Sequence, residues 1–270
     1  MIQFQNEQIT VFQSELYKTT SSVIQTEDVL LIVDPNLLPN EVKEIQEHVN
    51  KVKGNRPIYL LFTHSDWDHF IGYGAFLGAT VIASKIFKDR DNKEELLNQI
   101  KQFDDQYYID RDYPILFPPV DITVNNDGQV LKIGKTTLTF YKAEGHTNDS
   151  IYTIIEPLGI WVAGDYLSDL EIPFIYFSSE KYEETLRKTD IILSKHKINM
   201  LIPGHGHIAE TSKEIIIRND KSLQYIQELR KSIKNYWDCR HLLKDYKYKN
   251  GQFEDHNGNI SLIKKELNIE

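Results

Sequence analysis

Four apolar runs of strand length in this chain stop abruptly at short segments carrying histidine or aspartate, and no other feature limits the fold as much. Pro57-Ile58-Tyr59-Leu60-Leu61-Phe62 runs into Thr63-His64-Ser65-Asp66-Trp67-Asp68-His69, and the strand ending near Lys142 leads to Glu144-Gly145-His146-Thr147. Trp161-Val162-Ala163-Gly164 is followed by Asp165, and Leu201-Ile202-Pro203-Gly204 by His205. Nearly unbroken apolar runs such as the first are typical of strands covered on both faces. Loops at the ends of a rigid sheet can aim side chains from distant stretches into one cleft.

Shorter runs complete the pattern. Ile9 to Phe12, Ser22 to Gln25 and Val29 to Val33 read as strands, the last stopped by Asp34-Pro35-Asn36, since proline cannot continue a ladder and Asp and Asn favour turns. Between Leu38 and Val52, the apolar positions Val42, Ile45, Val49 and Val52 recur at helical spacing. A strand is expected at Thr80 to Ser84, a charged helix over Asp91 to Tyr108, and a proline-bearing surface loop over Arg111 to Asn126. A second block follows, with strands at Gln129 to Ile133, Thr137 to Lys142, Ile151 to Ile155 and Ile160 to Ala163. Then come a helix over Glu180 to His196, a last strand at Asn199 to Ile202, and mostly helix from Thr211. Two strand-rich blocks, each followed by helices, give an α/β chain whose two sheets pack together with helices outside, four layers in all. Residues 1–215 are expected to form the main domain and 216–270 a helical extension packed on it, with the polar end from Lys249 loosely held.

Composition narrows the partners. Of 270 residues, 40% are hydrophobic and 26% charged, which suits a packed core and excludes wholesale disorder. The net charge of -9, with no dense basic run, argues against nucleic acid or an anionic membrane and leaves a small-molecule substrate. The single cysteine, Cys239, excludes an intrachain disulfide and fits a reducing compartment. Met1 to Gln8 has neither a basic nor an apolar leader region, and no apolar run approaches the ~20 residues that cross a bilayer. A cytoplasmic protein is expected, with a homodimer left open.

The first polar segment has a spacing with physical content. A loop leaving the strand at Thr63 can turn His64 and Asp66 toward one point while Asp68 and His69 face another. Imidazole and carboxylate ligands suit zinc, and also iron or manganese. Two cations joined by a carboxylate, for which Asp165 is the natural bridge, can generate hydroxide and stabilise a leaving oxygen. Any one of these segments alone is an ordinary turn; four of them after four apolar strands point to a metal site.

Together the segments resemble the metallo-β-lactamase fold superfamily of dinuclear metallohydrolases, whose motif His-x-His-x-Asp-His precedes a later His, a bridging Asp and a final His. The resemblance covers roughly residues 1 to 215 and includes Val33-Asp34-Pro35, where family members often have a strand ending in Asp-Thr-Gly. It implies an αββα sandwich of two mixed β-sheets. It also implies one cation held by His64, Asp66 and His146 and another by Asp68, His69 and His205, with Asp165 shared. The implied reaction is attack of a metal-bridging hydroxide on an ester, thioester, lactone or phosphoester, with Asp68 orienting the hydroxide and accepting its proton. Tyr166, beside Asp165, is a candidate donor to a developing oxyanion. Trp67, Phe174 and Tyr176 are candidates for the substrate wall.

One position departs from the motif. Asp66 stands where the family usually has a second histidine, which adds a negative charge beside the cations. Zinc remains the first expectation, but iron or manganese become alternatives. A non-haem iron redox enzyme on the same scaffold is the competing function, and a non-catalytic metal-binding module the third.

Overall fold

A computed structural model of the chain describes residues 1–269. The chain divides into two compact units, one of residues 1–141 with 155–157, the other of 142–154 with 158 onward. The strands are β1 (Ile2–Gln5), β2 (Ile9–Gln13), β3 (Thr20–Gln25), β4 (Leu30–Val33), β5 (Ile58–Leu61), β6 (Thr80–Ser84), β7 (Ile122–Val124), β8 (Gln129–Ile133), β9 (Thr136–Lys142), β10 (Ile151–Glu156), β11 (Ile160–Gly164) and β12 (Met200–Pro203). The helices are α1 (Pro39–Val52), α2 (Trp67–Phe70), α3 (Lys85–Lys88), α4 (Lys93–Tyr107), α5 (Ser179–Lys195), α6 (Ser212–Lys234) and α7 (Phe253–Glu266). Among the described residues, no helix is long and apolar enough to cross a membrane.

Strands β1 to β7 form a sheet in sequence order. It is antiparallel from β1 to β4, where short turns link the strands, and parallel from β4 to β7, where helices such as α1 make the crossovers. The second sheet has the order β12-β11-β10-β9-β8, with β8 and β9 antiparallel and β11 and β12 parallel. Both sheets are mixed, as the family resemblance implied.

Two registers place the polar segments. In the first unit Ile32 pairs with Leu60 and Val33 with Leu61, so β4 and β5 end side by side and Asp34 comes out next to Phe62 and Thr63. In the second, Val162 pairs with Ile202 and Gly164 with Pro203, which brings Asp165 and the Gly204-His205 turn to the same carboxyl edge. Parallel strands covered on both faces have rigid ends, and β4, β11 and β12 are buried along their whole length. Helix α1 presents Val42, Ile45 and Val49 to the core of the first unit, among Leu30, Leu60 and Val81.

Two expectations needed correction, and one strand had gone unread. Ile2–Gln5 pairs as β1, and Ile122–Val124, inside the expected loop, adds β7 to the sheet edge beside β6. The tail from Lys249 is not loosely held: it contains α7, in which His256, Asn259 and Ile263 are buried. Two of those three residues are polar, so the apolar periodicity that marks a packed helix is missing.

Candidate metal centre

The first unit supplies four of the expected donors. His64 and His69 are fully buried, whereas Asp66 and Asp68 are partly exposed. The two imidazoles are held from behind by contacts that begin at one residue, at the end of β4. Asp34 accepts hydrogen bonds from the Thr63 amide at 2.9 Å and the Thr63 hydroxyl at 2.5 Å, and its Oδ2 lies 3.1 Å from His69 Nδ1. Because the Thr63 hydroxyl gives its proton to Asp34, its oxygen is an acceptor for His64 Nδ1, 3.0 Å away. Asp34 makes these contacts with a left-handed backbone, φ +43°, a conformation that Asp tolerates better than most residues. With Nδ1 engaged on both rings, Nε2 faces the loop: His64 Nε2 lies 3.6 Å from Asp66 Oδ2, and His69 Nε2 lies 3.7 Å from Asp68 Oδ2.

The second unit supplies the other three. Gly145 takes φ +136° immediately before His146, and a Cβ there would sit 2.3 Å from the Tyr182 Cα, so only glycine lets the turn lie against α5. His146 is buried; its Nδ1 donates to the Phe174 carbonyl at 2.8 Å, and its Nε2 lies 3.2 Å from Asp165 Oδ2. The same Oδ2 lies 3.4 Å from His205 Nε2, while Nδ1 of His205 faces Glu171 Oε1 at 3.6 Å. One carboxylate oxygen thus faces two imidazoles that come from different strand ends. Gly206, with φ +100°, leaves room for Asp169, which accepts from the His207 amide and binds the His207 ring, each at 2.8 Å.

These donors fit divalent cations. Two atoms each ~2.1 Å from one tetrahedral ion lie about 3.4 Å apart. The four histidine–aspartate separations of 3.2 to 3.7 Å bracket that value. In each of these four histidines Nδ1 is turned toward a neighbour of its own, the arrangement that leaves Nε2 for a cation.

The remaining candidates separate by environment. The Tyr166 hydroxyl accepts from the His146 amide at 2.9 Å and donates to the Ala143 carbonyl at 2.8 Å. The ring is fully buried, which raises its pKa. A hydroxyl whose proton is committed in this way has none to offer an oxyanion, so Tyr166 fixes the His146 turn instead of serving as the expected donor. Trp67 is half-buried against Phe103, with ring centroids 4.8 Å apart. Tyr176 is exposed; its ring lies 5.0 Å from that of His146, and its hydroxyl donates to Asp255 Oδ1 at 2.8 Å. Phe174 contributes its carbonyl to His146 as well as a half-buried ring.

Sequence reasoning gave no role to Glu171, to the Phe174 carbonyl or to Asp34 as a partner of His69. Asp34 had a signal, being the polar residue that ends an apolar strand. The carbonyl has none, because a main-chain acceptor leaves no trace in residue identity.

Known proteins share this fold. No curated protein matches the chain in sequence. Among solved structures, a metallo-beta-lactamase family protein from Thermus thermophilus is 17% identical, with a TM-score of 0.65 over 96% of this chain and 93% of that one. A stereoselective inverting sec-alkylsulfatase from Pseudomonas sp. is 11% identical, with a TM-score of 0.66 over 96% of this chain and 50% of that one, so this chain spans about half its length. A B3 metallo-beta-lactamase described as the first with an active-site glutamic acid is 20% identical, with a TM-score of 0.53 over 82% and 86% of the two chains. These likenesses show a shared fold. The family model described as the Metallo-beta-lactamase superfamily matches residues 15–217, three quarters of the chain, and the protein belongs to that superfamily.

Proposed function

We propose that the protein is a metal-dependent hydrolase whose two sets of donors together hold a pair of divalent cations. One cation would be held by His64, Asp66, His146 and Asp165, the other by Asp68, His69 and His205 with Asp165 shared. The observation that carries this reading is the placement of Asp165 Oδ2 at 3.2 and 3.4 Å from two imidazole nitrogens, the position of a bridging carboxylate. Such a pair would supply a Lewis acid for the scissile oxygen and acidify a water at neutral pH.

The protein's own side chains divide the remaining work. Asp68, partly open to solvent, would orient the attacking water and take its proton. Asp34, the Thr63 hydroxyl and the Phe174 carbonyl hold His69, His64 and His146 in place, so those three imidazoles need not reorient during turnover, and Glu171 faces the back of His205. Tyr176, exposed beside His146, would form a wall for the substrate, with Phe174 and Trp67 as further wall candidates. Residues 1–215 would carry this chemistry and 216–270 would act as their extension. The bonds in question are esters, thioesters, lactones and phosphoesters. Sulfate esters join them because a solved structure of similar fold is an alkylsulfatase.

Asp66 makes the donor set more acidic than one with a second histidine there, and a carboxylate in such a site has a parallel in the B3 enzyme with an active-site glutamic acid. Zinc is the first choice, with iron or manganese favoured to the extent that Asp66 binds. The test is metal quantification in protein purified without added zinc, followed by turnover of one substrate from each ester class. About two equivalents of metal and a hydrolytic product are expected, and Asp66→His should retain zinc more tightly and lower the kinetic pKa. Protein that carries no metal and cleaves none of these bonds would reject the reading. Iron with O₂ consumption in place of hydrolysis would establish the redox alternative.

A further inference from the structure

The segment after β11 is fastened to the C-terminal helix by side-chain amides. At the start of α7, Gln252 accepts from the Ile172 amide at 2.8 Å and donates to the Leu170 carbonyl at 3.0 Å. Further along the helix, Asn259 accepts from the Ile175 amide at 2.9 Å and donates to the Pro173 carbonyl at 2.6 Å. At the far end, Glu266 accepts from the Ser178 hydroxyl and the Ser179 amide. Gln252 and Asn259 are buried, so each amide would lose the full cost of desolvation without these partners.

The two bonds of Asn259 fall on either side of Phe174. The Ile175 N–H and the Phe174 C=O belong to one planar peptide group, and holding the N–H from one side fixes the direction of the carbonyl on the other. That carbonyl is the acceptor for His146 Nδ1 at 2.8 Å. A carbonyl only accepts, so Nδ1 carries the proton and Nε2 keeps its lone pair, the form in which imidazole ligates a cation. Asn259 is anchored in turn: Nδ2 also donates to the Tyr225 hydroxyl at 3.1 Å, which lies 2.7 Å from His256 Nδ1.

We propose that Asn259 is a positioning residue for His146: through the Phe174 peptide it selects the imidazole tautomer and heading, and so sets cation affinity from a helix that supplies no ligand. This rests on the reading of His146 as a ligand. Partners behind a ligating histidine are worth about 10- to 100-fold in metal affinity, and Asn259 acts one bond further out, so the low end applies.

The test compares Asn259→Ala with Gln252→Ala, which removes an equivalent buried amide from the same end of the chain without touching the Phe174 peptide. The full-length protein is labelled with ¹⁵N-histidine. The His146 ring spectrum is read in metal-free protein, and zinc affinity is then measured by competition with a chromophoric chelator. Asn259→Ala should lose the pure Nδ1–H form and bind zinc about tenfold more weakly. Gln252→Ala should keep the tautomer and most of the affinity. If Asn259→Ala does not fold by circular dichroism, Asn259→Leu replaces it with the same readouts. A folded Asn259 variant with either readout unmoved overturns the proposal, as does an equal loss in Gln252→Ala. If the unsubstituted protein binds neither zinc nor iron nor manganese, the proposed function fails and the tautomer alone decides this inference.

Discussion

Tyr166 shows how far a residue's surroundings decide its role. A tyrosine next to a bridging aspartate reads as an acid, but its hydroxyl is shared between the His146 amide and the Ala143 carbonyl in a fully buried position. Tyr166→Phe leaves two buried main-chain groups without that partner, which costs ~1–3 kcal/mol. Urea unfolding of the metal-free protein should show a loss of unfolding free energy of that size, read as a lower midpoint at unchanged slope, and a loss near zero would mean that the hydroxyl does not hold the turn. Asp34 is the converse case: it looks like punctuation after β4, yet it contacts Thr63 through two bonds and His69 through a third. The candidate donor types were legible because imidazole and carboxylate are identities printed in the sequence. The atoms that aim them were not, since Phe174 and Thr63 contribute a carbonyl and a hydroxyl that carry no metal signature.

At the scale of elements, the strands were legible wherever both faces were apolar, as in β4 and β11, whereas their pairing and register came only from the structure. Strand β7, three residues long inside a proline-rich stretch, had too little pattern to stand out. Helix α7 was hidden for a different reason: its inward face bears His256 and Asn259, which bury by hydrogen bonding and not by hydrophobicity. This gives α7 a pH dependence. Burial, reinforced by the nearby charge of His241, outweighs the Cys239 backbone contact and the Asp238 carboxylate, and holds the His256 pKa below its ordinary 6.5. The unfolded chain then takes up the proton first, so this contribution is complete above about pH 6.5 and is lost as the pH falls through the depressed value. Hydrogen exchange across α7 should therefore be faster at pH 5.5 than at pH 7.5 after correction for intrinsic rates, and His256→Gln should abolish the difference. Equal protection at both pH values would show that His256 is not what limits the helix.

For the molecule as a whole, the fold class followed from two strand-rich blocks each trailed by helices, and membership of the superfamily followed from four short segments spread over about 140 residues. Neither observation reaches the substrate, whose proposed wall consists of ordinary side chains such as Tyr176. If the donors that follow β5, β9, β11 and β12 bind cations as proposed, cation binding is tied to folding, because the unfolded chain cannot present them together. Free zinc at 100 times its dissociation constant should add about 2.7 kcal/mol of stability, a rise of several degrees in the melting midpoint that EDTA reverses. A midpoint indifferent to both zinc and EDTA would contradict a shared centre.

Arg218 has a consequence for how such a protein can change. From inside α6, its buried guanidinium donates to the carbonyls of Leu167, His207 and Ile208 and to Glu214 Oε1. The stretch after Asp165 and the stretch after His205 are therefore stapled together by one flat cation, and three of its four grips fall on main-chain oxygen. Any residue type offers the same oxygen, so the outward side chains there are free to drift toward new cargo while the staple keeps its gauge. A lysine in its place, a single point of charge on a supple stem, would not keep that gauge.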